Sequence, residues 1–177
     1  MATQAVARLK FIDESGAHLG MTRLYGRAAP GERVVEATPG HSGAHYSLVS
    51  ALSFKGISAP WLLPGAMTGD AFQVYVDQVL APTLRPGDVV LIDNLSSHKD
   101  AAVAARIEAR GARLIFLPPY SPDFNPIEQC WAKIKTTLRK AKARTGEALS
   151  DAFAIALNSI SARDARAWFA HCGYTVH

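Results

Sequence analysis

Three acidic residues of this 177-residue chain occur where a carboxylate could take part in chemistry. Asp13 ends an alternating run, residues 7–13, in which it shares a face with the apolar residues. Asp93 ends the continuous apolar run 89–92, which is typical of a strand covered on both faces that opens into a site at its carboxyl end. Glu128 follows a proline-rich turn. Because a core-facing carboxylate is costly unless it is paired or bound to a metal, these acids are candidates for a shared site.

The chemistry that such a site would support is metal-dependent phosphoryl transfer. Carboxylates without His or Cys at ligand spacing favour Mg²⁺ or Mn²⁺ over zinc. Two such ions about 3.5–4 Å apart can activate an attacking oxygen and stabilise a leaving one. Our hypothesis is that Asp13 bridges two ions, with Asp93 on one and Glu128 on the other. The predicted cofactor is therefore Mg²⁺ or Mn²⁺, with two ions per site.

Each acid also has a purely structural interpretation. Asn125 reads as a helix N-cap and Pro126 as the first helical residue, so Glu128 at the third position could bond back to the cap N–H. A single acid after a strand, such as Asp93, is commonly a turn or cap residue. The sequence leaves both interpretations open.

A covalent mechanism is the rival chemistry. Its nucleophile would be Ser96, Ser97, Tyr120 or Ser121, as in recombinases that form phosphoseryl or phosphotyrosyl intermediates. None of these residues has a recognisable base partner in the sequence. A metal-independent protein–DNA adduct would be its signature.

Positive charge is concentrated in the second half of the chain. Residues 98–177 carry 12 Lys and Arg against 7 Asp and Glu, whereas residues 1–97 carry 7 against 8. Trp131, Ile134 and Leu138 form an apolar stripe that would seat a helix with its cations outward. These cations form either a solvated face or a surface that follows DNA phosphates: Lys133, Lys135, Arg139, Lys140, Lys142 and Arg144. Trp131 itself would pack in the core or stack on a base.

The order of elements that would position these residues is α/β. Strands are predicted over residues 6–13 and 19–26, joined by a hairpin turn at Ser15-Gly16, and over 46–54, 56–63, 89–93 and 113–117. Helices are predicted over 68–82, 100–110, 125–144, 149–160 and 163–171, and a polar loop over 28–43. This order is compatible with a mixed five-stranded sheet flanked by helices. No apolar run reaches membrane-spanning length, so no membrane partner is expected.

These motifs resemble the catalytic domain of the mariner superfamily of cut-and-paste DNA transposases, in particular its bacterial insertion-sequence members. The resemblance covers roughly residues 6–145 and rests on Phe11-Ile12-Asp13-Glu14, on Leu91-Ile92-Asp93-Asn94 with His98-Lys99, and on Tyr120-Ser121-Pro122-Asp123-Phe124-Asn125-Pro126-Ile127-Glu128 with Trp131 and Lys135. Between Asp93 and Glu128 lie 34 residues, a spacing typical of this superfamily.

The resemblance implies a ribonuclease-H-like, retroviral-integrase-like fold with Asp13, Asp93 and Glu128 as its acidic triad. It implies that Asn94 and His98 line the site and that Lys99 can contact a backbone phosphate. The implied activity is cleavage at transposon ends to expose a 3′-hydroxyl, which then attacks target DNA. The implied partners are transposon-end and target DNA and a second copy in an active homodimer, and the implied location is the nucleoid of the bacterial cytoplasm.

The chain is expected to be a single catalytic domain over 1–177, with its core in 6–145 and further helices in 146–177. It begins just before the first catalytic strand, so an N-terminal helix-turn-helix domain is expected to be absent, or to be supplied by a partner reading frame. Two alternatives are an inactive DNA-binding remnant and another ribonuclease-H-like nuclease, acting on RNA–DNA hybrids or junctions. The latter typically needs a fourth acid, whereas Asp100, Asp123 and Asp151 read as turn or cap residues.

Overall fold

The computed structural model describes residues 5–93, 100–119 and 121–174. Within these residues five strands form one sheet in the order β3-β2-β1-β4-β5. They are β1 (Leu9–His18), β2 (His45–Ser53), β3 (Gly56–Pro64), β4 (Val89–Ile92) and β5 (Arg113–Phe116). β2 runs antiparallel to β1 and β3, whereas β4 and β5 run parallel to β1 and to each other. The predicted mixed five-stranded sheet is therefore confirmed.

The predicted hairpin at Ser15-Gly16 and the strand over 19–26 are wrong. Ser15 and Gly16 lie inside β1, opposite Leu48 and Ser47 of β2. A Cβ at Gly16 would meet no atom within 4 Å, so this glycine is not required by a turn. The ladder to β2 extends β1 to His18, and residues 19–44 form a long irregular loop. Pairing with a strand thirty residues away overrides the local turn signal.

Helices cover both faces of the sheet. They are α1 (Gly69–Tyr75), α2 (Ala101–Glu108), α3 (Ile127–Ala141), α4 (Gly146–Asn158) and α5 (Ala162–His171). One hydrophobic core lies between the sheet and α1 and α2, and the other between the sheet and α3, α4 and α5. Among the described residues no helix is both long enough and apolar enough to cross a lipid bilayer.

The helix boundaries differ from the predicted ones for local reasons. After Tyr75 the chain continues as a π-helical turn, Val76–Leu80, and a 3₁₀ turn, Ala81–Thr83, rather than as one α-helix. α3 ends at Ala141 because Lys142 adopts a left-handed conformation, with φ of 51°. α4 begins at Gly146, three residues before the predicted start, because the Thr145 hydroxyl accepts the Ala148 N–H at 3.2 Å.

Candidate active site

The register of the parallel strands places Asp13 and Asp93 side by side. Ile12 of β1 stands opposite Ile92 of β4, so the next residue of each chain segment is an aspartate. Neighbouring strands are about 4.8 Å apart. Asp13 is buried and Asp93 is half-buried. The carboxyl end of β4 thus brings together two acids that are 80 positions apart in sequence.

Glu128 occupies the first turn of α3, and the alternative interpretation of Glu128 as part of a capping box is wrong. The N-cap of α3 is Pro126, without a side-chain cap bond, and the backbone N–H of Asn125 donates to the Pro122 carbonyl at 2.9 Å. Asn125 fails to cap because its side chain is turned into the protein, where it is only 4% exposed. Glu128 is exposed, and among the described residues its carboxylate makes no hydrogen bond or ion pair. Local capping therefore does not account for this acid.

The electrostatics of Asp13 link the three acids. Its pKa is raised from an ordinary 3.8 to about 7, first by burial and next by the negative charge of Glu128. The charge of Asp93 raises the pKa further. Hydrogen bonds from the Glu14 backbone N–H and the Trp131 indole act in the opposite direction. The fold therefore concentrates negative charge around one buried carboxylate.

Trp131 has a role that sequence analysis missed. Its indole is 2% exposed, and its Nε1–H donates to Oδ2 of Asp13 at 3.2 Å. Trp131 lies three residues after Glu128. The same helix therefore carries both Glu128 and the indole that donates a hydrogen bond to Asp13. A buried indole N–H needs a hydrogen-bond acceptor. The only sign of this role in the sequence was the core-facing carboxylate of Asp13. Because the ring is buried, the base-stacking interpretation of Trp131 is wrong and the core interpretation is confirmed.

Asn125 contributes a second buried polar group beside Glu128. Its carbonyl accepts the Glu128 N–H at 3.1 Å, while its side-chain Oδ1 has no hydrogen-bond donor among the described residues. An unsatisfied buried amide oxygen costs about 1–3 kcal/mol. The turn before Glu128 therefore contains a buried hydrogen-bond acceptor, Oδ1 of Asn125, that no described residue uses.

Several predicted residues lie outside the described part of the chain. These are Asn94, His98 and Lys99, together with the candidate nucleophiles Ser96, Ser97 and Tyr120. The fourth candidate nucleophile, Ser121, is described, and its hydroxyl donates to the Pro119 carbonyl at 3.1 Å. This contact belongs to the proline-rich turn, and it gives Ser121 no base partner.

The basic run of α3 divides into two sets. Lys133 Nζ bonds the Ser159 carbonyl and the Asp164 carboxylate, both at 2.9 Å. Lys142 forms an ion pair with Glu36, and Arg144 donates to the Leu19 and Met21 carbonyls at 2.7 and 3.1 Å. The remaining cations of the run form no such contact among the described residues: Lys135, Arg139 and Lys140. Three of the six cations of this run thus hold neighbouring segments of the chain.

The donor set fits a hard divalent cation by its chemistry. The acids supply only carboxylate oxygens, which suit Mg²⁺ and Mn²⁺. The pKa of Asp13 is raised first by burial and next by the negative charge of Glu128, and a bound cation would favour the charged carboxylate against both effects. In the described residues, however, no three His, Cys, Asp or Glu side chains are already arranged as a metal site.

A mixed sheet of this order, with acids at the carboxyl end of its central parallel strands and on a crossing helix, defines a ribonuclease-H-like fold. The sequence profile of the DDE superfamily endonucleases matches residues 8–150, most of the chain. The chain belongs to this family of DDE endonucleases. No curated protein sequence matches the chain.

Solved structures of the Mos1 transposase share the fold. The chain matches the pre-cleavage Mos1 transpososome with a TM-score of 0.76 at 18% identity, covering 96% of this chain and 54% of that chain. The Mos1 mariner paired end complex with Mn gives 0.74 at 18% identity, covering 95% and 54%. The isolated catalytic domain of Mos1 mariner transposase gives 0.68 at 16% identity, covering 96% and 79%. The chain therefore spans about half the length of the Mos1 chains in the complexes and most of the isolated catalytic domain. The predicted fold and nuclease class are confirmed.

Proposed function

We propose that this chain is the catalytic domain of a DNA transposase, which cuts DNA at transposon ends and joins the exposed 3′-hydroxyl to target DNA. The observation that carries the proposal is the pairing of β1 with β4, which puts Asp93 next to the buried Asp13, together with the hydrogen bond to Asp13 from Trp131, on the same helix as Glu128. The family match to DDE endonucleases and the fold of the Mos1 catalytic domain support it. The structures of Mos1 complexes with Mg and with Mn support a divalent cofactor.

Asp13, Asp93 and Glu128 would hold the cofactor, in our proposal two Mg²⁺ or Mn²⁺ ions. When bound, such ions polarise the phosphate and lower the pKa of the attacking hydroxyl. Asp13 must lose its proton to act as a ligand, and the Trp131 indole favours this because it donates to the charged form. By holding Oδ2, the indole also fixes the orientation of the second oxygen of Asp13.

A Trp131→Phe variant tests this orienting bond. Phenylalanine keeps most of the buried ring but lacks the N–H donor, so we expect about a tenfold loss of Mn²⁺ affinity, as for other second-layer donors to metal ligands. Isothermal titration calorimetry of Mn²⁺ into the metal-free protein measures this affinity in the absence of DNA. Trp61→Phe is a matched control, because Trp61 stacks on Tyr75 in the other core. Equal Mn²⁺ affinity of the two variants would show that Trp131 only packs.

DNA would lie along the exposed side of α3. Lys135, Arg139 and Lys140 are the cations of the helix that make no ion pair with the described part of the protein. Their contacts would be to phosphates, which position DNA but carry no sequence information. Binding by this domain is therefore expected to be weak, salt-dependent and independent of sequence. Recognition of transposon ends would need an N-terminal DNA-binding module, in the same chain or a partner, and a homodimer to hold two ends.

The division of the basic run gives a further prediction. Lys135→Ala should reduce the slope of log K against log salt concentration by about 1, because each phosphate contact releases counterions. Lys133→Ala, two residues away, should leave the slope unchanged because its ammonium already binds Asp164 and Ser159. Titrations of labelled duplex DNA by fluorescence anisotropy at several salt concentrations make the comparison. A larger change in slope for Lys133→Ala than for Lys135→Ala would place the DNA elsewhere.

The activity is tested with Mn²⁺ on substrates that separate the alternatives. Duplex DNA, an RNA–DNA hybrid and a four-way junction are compared for nicking, and pre-nicked transposon ends are used for strand transfer. We expect nicking of duplex DNA and joining of a 3′-hydroxyl end to a second duplex. Preferential cleavage of the hybrid or junction would favour another ribonuclease-H-like nuclease, and binding without any turnover would favour an inactive remnant. A protein–DNA adduct formed in EDTA would favour the covalent mechanism.

A further inference from the structure

A groove on the outer side of α3 has a composition that the proposed active site does not use. It is a cavity of about 250 Å³ between the helix and the loop that follows β1. The lining residues include three cations and no acid: Arg23, Leu24, Tyr25, Thr136, Arg139 and Lys140. The groove therefore presents concentrated positive charge beside an aromatic ring.

The wall of this groove is tied to the segment just after α3 by two cations, Lys142 and Arg144. Arg144 holds the first limb of the loop through the carbonyls of Leu19 and Met21, at 2.7 and 3.1 Å. Lys142 holds the returning limb through its ion pair with Glu36. Both ends of the segment that carries Arg23 and Tyr25 are therefore anchored at the C-terminal end of α3.

The two limbs of the loop also pack on each other. A Cβ at Gly26 would lie only 2.6 Å from Cγ1 of Val34, so any larger residue at 26 would require the Val34 side chain to shift. Just before this contact, Leu24 is 65% and Tyr25 is 89% exposed. An aromatic ring held in solvent among cations is not explained by packing within the chain. It has the composition of single-stranded nucleic-acid sites, in which bases stack on aromatic rings and cations follow the backbone.

The distance between the groove and Glu128 can be estimated along α3. Arg139 lies eleven residues after Glu128 on the same helix. At 1.5 Å per residue this is about 16 Å. A B-form duplex rises 3.4 Å per base pair, so a strand running along α3 would reach the groove about five nucleotides from a phosphate at Glu128.

We propose that this groove binds a DNA strand about five nucleotides from the cut phosphate, with phosphates on Arg23, Arg139 and Lys140 and an unpaired base on the Tyr25 ring. The inference rests on the proposed function, because the active site fixes the register of the strand. An unpaired base is required because the faces of bases within a duplex are already stacked. The groove thus favours DNA that is open at this distance from the cut.

The test compares two labelled DNAs in Ca²⁺, a hard cation that carboxylates bind, in place of Mg²⁺ or Mn²⁺, so that the acids can hold the strand in register without the catalytic metal. Both carry a nick at the scissile position, and one also has an unpaired nucleotide five positions away. Tyr25→Ala should bind the second DNA about tenfold more weakly than the wild type, since stacking contributes roughly one decade per base. On the fully paired DNA the variant should bind as the wild type does. Tyr25→Phe keeps the ring and should restore binding.

Controls separate this groove from general charge effects. Val35→Ala removes an exposed apolar side chain, 85% exposed, from the same loop but outside the groove, and should change neither affinity. Arg23→Ala should weaken binding to both DNAs and reduce the salt slope by about 1. Equal affinities of Tyr25→Ala and wild type for the open DNA would overturn the proposal. So would a change in the oligomeric state of Tyr25→Ala without a change in DNA affinity, which would make this face a protein contact.

The outcome is independent of catalysis. If the wild type nicks no DNA but Tyr25→Ala selectively loses the open DNA, the groove is a nucleic-acid site and the catalytic proposal fails. If the wild type nicks DNA and Tyr25→Ala binds both DNAs normally, the catalytic proposal stands and the groove assignment is wrong.

Discussion

Replacing Asp93 with asparagine is expected to reduce Mn²⁺-dependent nicking of duplex DNA by about a thousandfold or more, without unfolding the protein. Asparagine has nearly the same shape, so the half-buried position at the end of β4 should tolerate it. In our proposal the substitution replaces a charged metal ligand with a neutral one, and metal ions supply several kcal/mol of transition-state stabilisation. Each 1.36 kcal/mol is worth about tenfold in rate. Initial rates of nicking of a labelled duplex measure the effect.

The control for this experiment is Asp151→Asn. Asp151 is an exposed acid on α4 and was the most C-terminal candidate for a fourth acid. Its amide variant should nick at the wild-type rate, whereas Glu128→Gln should be as impaired as Asp93→Asn. Wild-type nicking by Asp93→Asn would show that the acids at positions 13, 93 and 128 do not form the catalytic site. Impairment of Asp151→Asn would indicate a different acidic constellation.

The acids of the site were accessible to sequence analysis because each interrupts a regular apolar pattern. A run of period two makes Asp13 core-facing, and a continuous run makes Asp93 the end of a buried strand. Their proximity was predicted only from their shared chemistry and from the family resemblance, because the pairing of Ile12 with Ile92 across β1 and β4 cannot be read from local spacing. Register is a tertiary property, and local spacing does not encode it.

The failures of sequence analysis also have physical causes. Ser15-Gly16 has turn chemistry, but the ladder to β2 outweighs it and continues β1 to His18. Asn125 and Pro126 have capping chemistry, but burial of the Asn125 side chain removes it from the helix end. The cations between Lys133 and Arg144 could not be distinguished in the sequence. In the folded protein, contacts with α5 and with the loop after β1 show which of them have partners within the chain. In each case a long-range contact competes with a local preference.

The second large effect is on the stability of the metal-free protein. It follows from the burial of Asp13 and from the negative charges of Glu128 and Asp93. In the unfolded chain Asp13 loses its proton near pH 3.8, whereas in the folded protein its pKa is about 7. Between these values the folded state binds the extra proton, so the stability contributed by this group falls as pH rises from about 4 to about 7. One pKa unit corresponds to about 1.4 kcal/mol, so the penalty above pH 7 is on the order of 4 kcal/mol. It is absent below pH 4.

Asp13→Asn should therefore be more stable than the wild type at pH 8 in EDTA, by up to about 4 kcal/mol, or a rise in Tm of roughly 10 °C. Near pH 4 the two proteins should be equally stable, because Asp13 is then neutral in both states. Urea titrations from pH 4 to pH 8 give the difference directly. Asp164→Asn is a control of opposite sign: hydrogen bonds from Ser161 and Lys133 lower the pKa of Asp164 to about 2, so this variant should lose stability at pH 8.

Divalent metal should offset more than half of the stability advantage of Asp13→Asn. Saturating Mn²⁺ stabilises only a folded state that binds it, by about 2.7 kcal/mol at a hundred times Kd. The wild type should therefore gain stability at pH 8 and the variant should not, while the variant loses nicking activity. A stability difference that does not vary between pH 4 and pH 8 would show that the pKa of Asp13 is not raised in the folded protein. Equal Mn²⁺ stabilisation of both proteins would show that Asp13 is not a metal ligand. The predicted behaviour is that of a site that sacrifices stability in the metal-free state for metal-dependent chemistry.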